Sequence, residues 1–259
     1  MLRPRVIPCL LVHEGGLVKT VGFSQPKYVG DPLNAVRIFN EKEVDELMVL
    51  DIDASRHGKE PDYKMIGNLA NECRMPLCYG GGVKTVDQVE RIIGLGVEKV
   101  AIGSGAIARP ELISEAAARA GSQSIAVVID VKVFGDSGAA EVVVLNGTQR
   151  TRLDPAAVAK QMQELGAGEI VLNSVDRDGT MSGYDMELID RVRNATSLPL
   201  TVLGGAGSMS DIAQLIRQHG IIGAAAGSLF VFKGKFRAVL INYPSRADKD
   251  ALIEGARKQ

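Results

Sequence analysis

The chain alternates eight times between short apolar runs and helix-period segments, and its second half repeats its first. The apolar runs occupy 6–12, 46–53, 76–82, 99–104, 124–133, 169–176, 199–205 and 222–228. Between them lie stretches such as VDQVERIIGLG (86–96) and PAAVAKQMQELGAG (155–168), apolar every three or four residues. Strands alternating with helices imply βαβ units and a parallel sheet. Eight such units in 259 residues predict an α/β fold, a single closed (β/α)8 TIM barrel. PLCYGGGVKTVDQVERII (76–93) parallels PLTVLGGAGSMSDIAQLI (199–216), and KVAIGSGAI (99–107) parallels IGAAAGSLF (222–230). The pairs Asp51/Asp176, Gly81/Gly205 and Gly103/Gly227 are each separated by 124 or 125 positions. The expected organisation is one domain over 1–259, made of half-barrels at about 1–122 and 123–245 and a tail at 246–259. No Pro/Ser-rich linker divides it.

Composition agrees and removes other classes. Only 4% of residues are aromatic and none is Trp, so the core must use small aliphatic side chains, as strands buried on both faces do. Thirty basic residues against 31 acidic ones leave a formal charge of -1, which offers no field to nucleic acid or an anionic membrane. A hydrophobic fraction of 46% excludes a disordered chain. The N-terminal apolar stretch is too short for a secretory core, and no run reaches the roughly 18 residues of a spanning helix. Cys9, Cys73 and Cys78 show no CxxC spacing, and His13, His57 and His219 form no ligand pattern. We expect buried thiols in a reducing cytoplasm, no metal and no cofactor; a nucleophilic Cys9 or Cys78 is the sharper alternative.

The repeat gives the 29 glycines a purpose. Each half carries Gly-Gly at the end of its third strand and Gly-Ser at the end of its fourth. Strand C-termini form the catalytic face of such barrels, and glycine loops opening helices present N–H groups to phosphate. Two such sites across the mouth predict a ligand with a phosphate at each end. Asp51, Asp130 and Asp176 each end an apolar strand, where a carboxylate can do acid/base work or merely cap the next helix. Lys19 could supply a cation to a phosphate. At the strand starts stand Arg5, Glu46, Lys99 and Glu169. By themselves these four could be a neutral ring of ion pairs.

Taken together, RVIPCL, VGDP (29–32), DELMVLDIDAS, GGGVKTVDQVE, AVVIDVK, GAGEIVLNSVDRDGTMSGYD (166–185) and LGGAGSMSDI resemble the cyclase subunit of imidazole glycerol phosphate synthase, from histidine biosynthesis. The resemblance spans nearly the whole chain. It implies a glutaminase subunit docked on the N-terminal face of the barrel, ammonia passing through the barrel, and a bisphosphate at the top. It assigns Arg5, Glu46, Lys99 and Glu169 to an ammonia gate. Gly82, Gly103 and Ser104 match one phosphate site, and Gly205, Gly227 and Ser228 the other. Lys19, Asp51, Asp176 and Gly179 fall on the ligand side, and Asp130 matches one of two catalytic aspartates. The second aspartate is replaced: where the family reads Cys-Leu-Asp-Val, this chain reads Cys9-Leu10-Leu11-Val12. Leu203 and Asn173 likewise stand where the cyclase has small hydroxyl residues. A kept gate with a broken acid/base pair resembles a paralogous branch, the acetamidino-modification proteins of surface polysaccharides. That resemblance implies ammonia delivered to a phosphorylated or nucleotide-linked N-acetyl sugar, with a separate N-acetyl-sugar amidotransferase as a further partner. The cyclase itself and a non-catalytic phosphate-binding scaffold are the other two readings.

Overall fold

The computed structural model describes residues 3–135 and 138–257; Met1, Leu2 and the last two positions of the expected tail lie outside them. Eight parallel strands form the frame: β1 (Arg5–His13), β2 (Leu47–Asp51), β3 (Leu77–Gly80), β4 (Lys99–Ile102), β5 (Ile125–Phe134), β6 (Glu169–Ser174), β7 (Leu200–Leu203) and β8 (Gly223–Ala226). Each pairs with its sequence neighbours, and β8 returns to β1, pairing Arg5 with Gly223. The ring is therefore a closed (β/α)8 barrel. Its longest register joins β5 to β6, from Glu169 opposite Ala126 to Ser174 opposite Val131.

The helices begin where side chains can cap them. In α1 (Pro32–Glu41), Asp31 accepts from the Asn34 amide and Pro32 fills the first turn. α2 (Tyr63–Glu72) is capped by Asp62. α3 (Val86–Gly94) opens with a reciprocal box between Thr85 and Gln88. A one-turn α4 (Ser104–Ala108) precedes α5 (Glu111–Ala120). α6 (Pro155–Glu164) and α7 (Met186–Arg193) are capped by Asp154 and Asp185. α8 (Met209–His219) repeats the box with Ser208 and Asp211, and the one-turn α9 (Ser228–Val231) repeats α4. α10 (Arg246–Arg257) follows. No helix among the described residues is long and apolar enough to cross a membrane.

Alternation along each strand sorts the core into two. Leu10, Val12, Val49, Ile129 and Leu172 face the helices. Ile7, Cys9, Leu11, Met48, Cys78, Ala101, Val128, Val171 and Ala225 fill the barrel interior. Burial pushes the Cys9 thiol up to about 11 and the Cys78 thiol well above its ordinary value, which removes either as a nucleophile at neutral pH.

Two features go beyond the sequence expectation. β1 and β5 overrun the barrel and fold back as antiparallel hairpins, β1 onto Gly16–Val21 and Ser24–Gly30, β5 onto Ala139–Val144 and Gln149–Arg150. Glu14 and Gly15 turn the first with φ of 48° and 78°, the double positive φ that matches strand twist in a two-residue loop. In addition, the segment after α9 is extended before α10 begins. The Tyr243 hydroxyl donates to the Val6 carbonyl (2.8 Å), the Val6 amide donates to Asp45 (2.9 Å), and Lys249 reaches the same carboxylate (2.6 Å). Phe39, fully buried on α1, links that helix to the outer core. Phe39→Ala is expected to cost about 3–5 kcal/mol in urea unfolding, with an unchanged slope.

Candidate functional site

The strand C-termini surround one pocket. Leu11, Lys19, Asp51, Gly103 and Ser104 line it from the first half of the chain and Asp130, Asn173, Gly179, Leu203, Gly205, Gly227 and Ser228 from the second. The repeat is visible in its geometry. Gly103 and Gly227 are the caps of α4 and α9, with Ser104 and Ser228 as first helical residues. Gly205 has φ 106°, and a side chain there would meet the Gly183 carbonyl at 2.1 Å. Gly179 has φ 69° and sits so close to the Thr20 carbonyl that a Cβ would lie 2.0 Å away. Glycine is required at both. Gly82 stands just behind the lining, its amide donating to Ser55 Oγ at 3.2 Å; Gly80 and Gly81 reach the pocket instead.

Asp130 sits at the mouth, accepting a hydrogen bond from Asn173 Nδ2 at 2.9 Å. Burial pushes its carboxyl up to about 6, the Asn173 bond opposing and the charge of Asp178 adding. Asp51 accepts from the amides of Asp53 (2.9 Å) and Ala54 (3.0 Å), yet burial still raises it. Lys19 is buried; its ammonium donates to the Cys9 carbonyl at 2.6 Å and presses against Gly227, and burial lowers its pKa. Leu11, 9% exposed, belongs to the apolar cluster with Val128 and Leu203, so the first strand brings no acid/base group into the mouth.

Besides Gly82, a second expected residue is elsewhere. Asp176 does not line the pocket; its carboxylate accepts from the Val133 amide at 2.8 Å and braces the end of β5. The 3-10 turn Val175–Arg177 rotates the chain after β6, so Asp178 is the carboxylate that enters the pocket. Asp178 accepts from Thr20 Oγ1 (2.6 Å) and the Phe23 amide (3.3 Å), tying the first hairpin to β6. The doubled Asp in VDRDG held this signal, but spacing alone could not choose between the two. Among the described residues no group of three or more His, Cys, Asp or Glu is placed to hold a metal ion.

The four charges at the strand starts converge at the opposite end. Arg5 bonds Glu46 and reaches Glu169 at 2.6 Å; Lys99 reaches Glu46 at 3.0 Å and Glu169 at 2.8 Å. Thr201, fully buried and absent from the sequence expectation, donates to Glu169 at 2.5 Å. The two cations hold Glu169 below its ordinary value against its burial. The ring is alternating in sign and closed; its carboxylates are buried, Glu46 3% and Glu169 6% exposed, while the Arg5 and Lys99 side chains stay partly open to solvent.

The raised Asp130 fixes a sign. A carboxylate whose pKa is higher folded than unfolded destabilises the fold at neutral pH, and the penalty disappears as pH falls through the unfolded value. Asp130→Asn is expected to be more stable than the parent at pH 7–8 by about 1–3 kcal/mol, the two converging below about pH 4. Denaturation across pH measures this; a difference that grew toward acid would refute it.

The comparisons agree with this geometry. The model of the histidine biosynthesis protein family matches residues 5–237. A protein of Leptospira borgpetersenii, provisionally named imidazole glycerol phosphate synthase subunit HisF, is 59% identical over 98% of this chain and 100% of its own. A Vibrio vulnificus protein with the same provisional name, numbered hisF3, is 57% identical over 98% of each chain. The imidazole glycerol phosphate synthase subunit HisF of Hyphomonas neptunium is 41% identical over 90% of this chain and 91% of its own. The chain therefore belongs to the histidine biosynthesis protein family, among the HisF-like synthase subunits.

Proposed function

We propose that this chain is the synthase subunit of a glutamine-dependent enzyme of the imidazole glycerol phosphate synthase type. A glutaminase subunit docks on the Arg5–Glu46–Lys99–Glu169 face, and ammonia crosses the barrel to a phosphorylated ligand at the mouth. The observation that carries the reading is the polarity of the barrel axis. A charge ring seals one end, an interior of Ile7, Met48, Cys78, Ala101 and Val171 follows, and glycine loops with a raised carboxyl stand at the other. An apolar interior favours neutral ammonia over ammonium and keeps it from water. Opening the ring for passage means separating paired, desolvated charges, which ties admission to partner docking.

At the mouth, the Gly103/Ser104 and Gly227/Ser228 loops take the phosphates, with Lys19 as a nearby cation. Asp130 is the acid/base group, its pKa placed closer to neutrality than that of a free carboxylate. Leu11 removes the second acid/base of the cyclase resemblance, a loss of about 10²–10⁴ in rate. The acetamidino-sugar reading suggested by Leu11 has no support among the relatives reported above, all named for the synthase. It stays as a second reading on one observation, the apolar wall of Leu11, Leu203 and Val128. Activated amide chemistry would need ammonia there but no ring-closing acid/base pair.

Complementation of a histidine auxotroph lacking its own cyclase subunit decides between them. The first reading expects slow rescue by the parent chain and faster rescue by Leu11→Asp. Absence of rescue by both, with folded protein present, supports the second. For either reading, Glu169→Gln and Lys99→Met are expected to reduce glutamine turnover by a bound glutaminase subunit, or its coupling to product, by tenfold or more.

A further inference from the structure

The last helix carries a lysine where its packing calls for an apolar side chain. Ser245 caps α10, its hydroxyl donating to the Asp248 carboxylate at 2.6 Å and accepting from the Asp248 amide at 3.2 Å. From that start Lys249, Ile253 and Ala256 follow at helical spacing on one face, and all three are buried, Lys249 only 3% exposed. A buried ammonium is costly unless it is paired. Lys249 has an acceptor for each of its three donors: Asp45 Oδ1 at 2.6 Å, the Tyr243 hydroxyl at 3.3 Å and the Glu43 carbonyl at 3.5 Å.

These partners stand directly behind the charge ring. The other Asp45 oxygen accepts from the Val6 amide at 2.9 Å, and the Tyr243 hydroxyl donates to the Val6 carbonyl at 2.8 Å. Val6 follows Arg5 and Asp45 precedes Glu46, so the knot grips the chain neighbours of two bonded ring members. The backbone ladder between β1 and β2 begins only further along, with Cys9 opposite Met48. At the Arg5 end, side chains join the two strands instead.

We propose that Lys249 is a positioning residue for the charge ring: with Tyr243 it holds Asp45 against Val6, and so sets Arg5 against Glu46. The seating of α10 is thereby tied to the geometry of the ring. What the ring admits rests on the synthase reading above; that Lys249 positions it does not. Two adjacent carboxylates, Asp45 and Glu46, are sorted between different cations. Lys249 serves the first, while Arg5 and Lys99 serve Glu46 and Glu169. An apolar residue at position 249 would complete the stripe of α10 but leave Asp45 with no cation. A carboxylate in that state turns to water or takes up a proton. Either change slackens the bond to the Val6 amide and releases Arg5 from its place.

The Glu169 carboxyl carbon reports on the ring, because Arg5 and Lys99 hold that group low. It is followed by NMR across pH in the full-length chain. In Lys249→Met its midpoint is expected to rise by about half a unit or more as Arg5 withdraws. Ile113→Ala, a buried truncation on α5 that shares no partner with the knot, controls for lost stability and is expected to leave the midpoint in place. An unchanged midpoint in Lys249→Met, or an equal rise in Ile113→Ala, would overturn the proposal. Should Lys249→Met not fold, Tyr243→Phe is judged by the same criterion; it keeps the ring against Phe230 and removes only the hydroxyl. With a glutaminase subunit bound, Lys249→Met is also expected to lower kcat for glutamine by about threefold or more at an unchanged KM. A raised midpoint with normal coupled turnover leaves the positioning role standing and counts against the synthase reading, whereas an unchanged midpoint sinks the positioning role alone.

Discussion

Much in this molecule depends on the ladder that joins β5 to β6. The six-residue register there, with Asn173 set against Asp130, decides which alternate residues look inward around the whole ring. A slip of β6 by one position would move Asn173 and Glu169 out toward the helices and bring Leu172 and Ile170 into the barrel. The same parity places the charge ring at one end and the carboxyl at the other. Site and core are thus one decision, made by the backbone ladder before any ligand is considered.

The two ends of the interior use charge oppositely. At the strand starts, four charged groups pair in short bonds, and the cations hold Glu169 down. At the mouth, Asp130 faces an uncharged amide and the repulsion of Asp178, so burial wins and its proton is held more tightly. Similar depth gives opposite directions because two cations bond Glu169 directly while Asp130 bonds only an amide. Lys19, the nearest cation to the mouth, spends its bond on the Cys9 carbonyl.

Much of this was readable from residues alone. Strand count, parallel pairing and the glycine–serine loops follow from apolar runs, helical periods and a 124-residue offset, because each reflects local steric or packing rules. The charge ring was readable as four charges at strand starts, although Thr201 was not, since a threonine in PLTVLGG looks like any β-branched strand residue. Asp176 and Asp178 could not be told apart, because a 3-10 turn, not the strand period, sets which one points inward. The hairpins on β1 and β5 were hidden for a related reason. Their apolar alternation reads as strand, but nothing in a one-dimensional pattern says that a barrel strand continues past its rim.

The fastening at Val6 has a consequence in time. Six of the other strands find both their ladder partners among the segments directly before and after them in the chain. β1 does not: it needs β8, and the hydroxyl that grips its Val6 carbonyl lies 237 positions later. During synthesis the first strand therefore waits with one edge bare, and so does whatever strand has most recently emerged. Such edges invite pairing with another chain. The polar hairpin folded onto the far end of β1 and the early docking of β2 cover part of that exposure, but its start, beside the future charge ring, can be completed only when the end of the chain arrives.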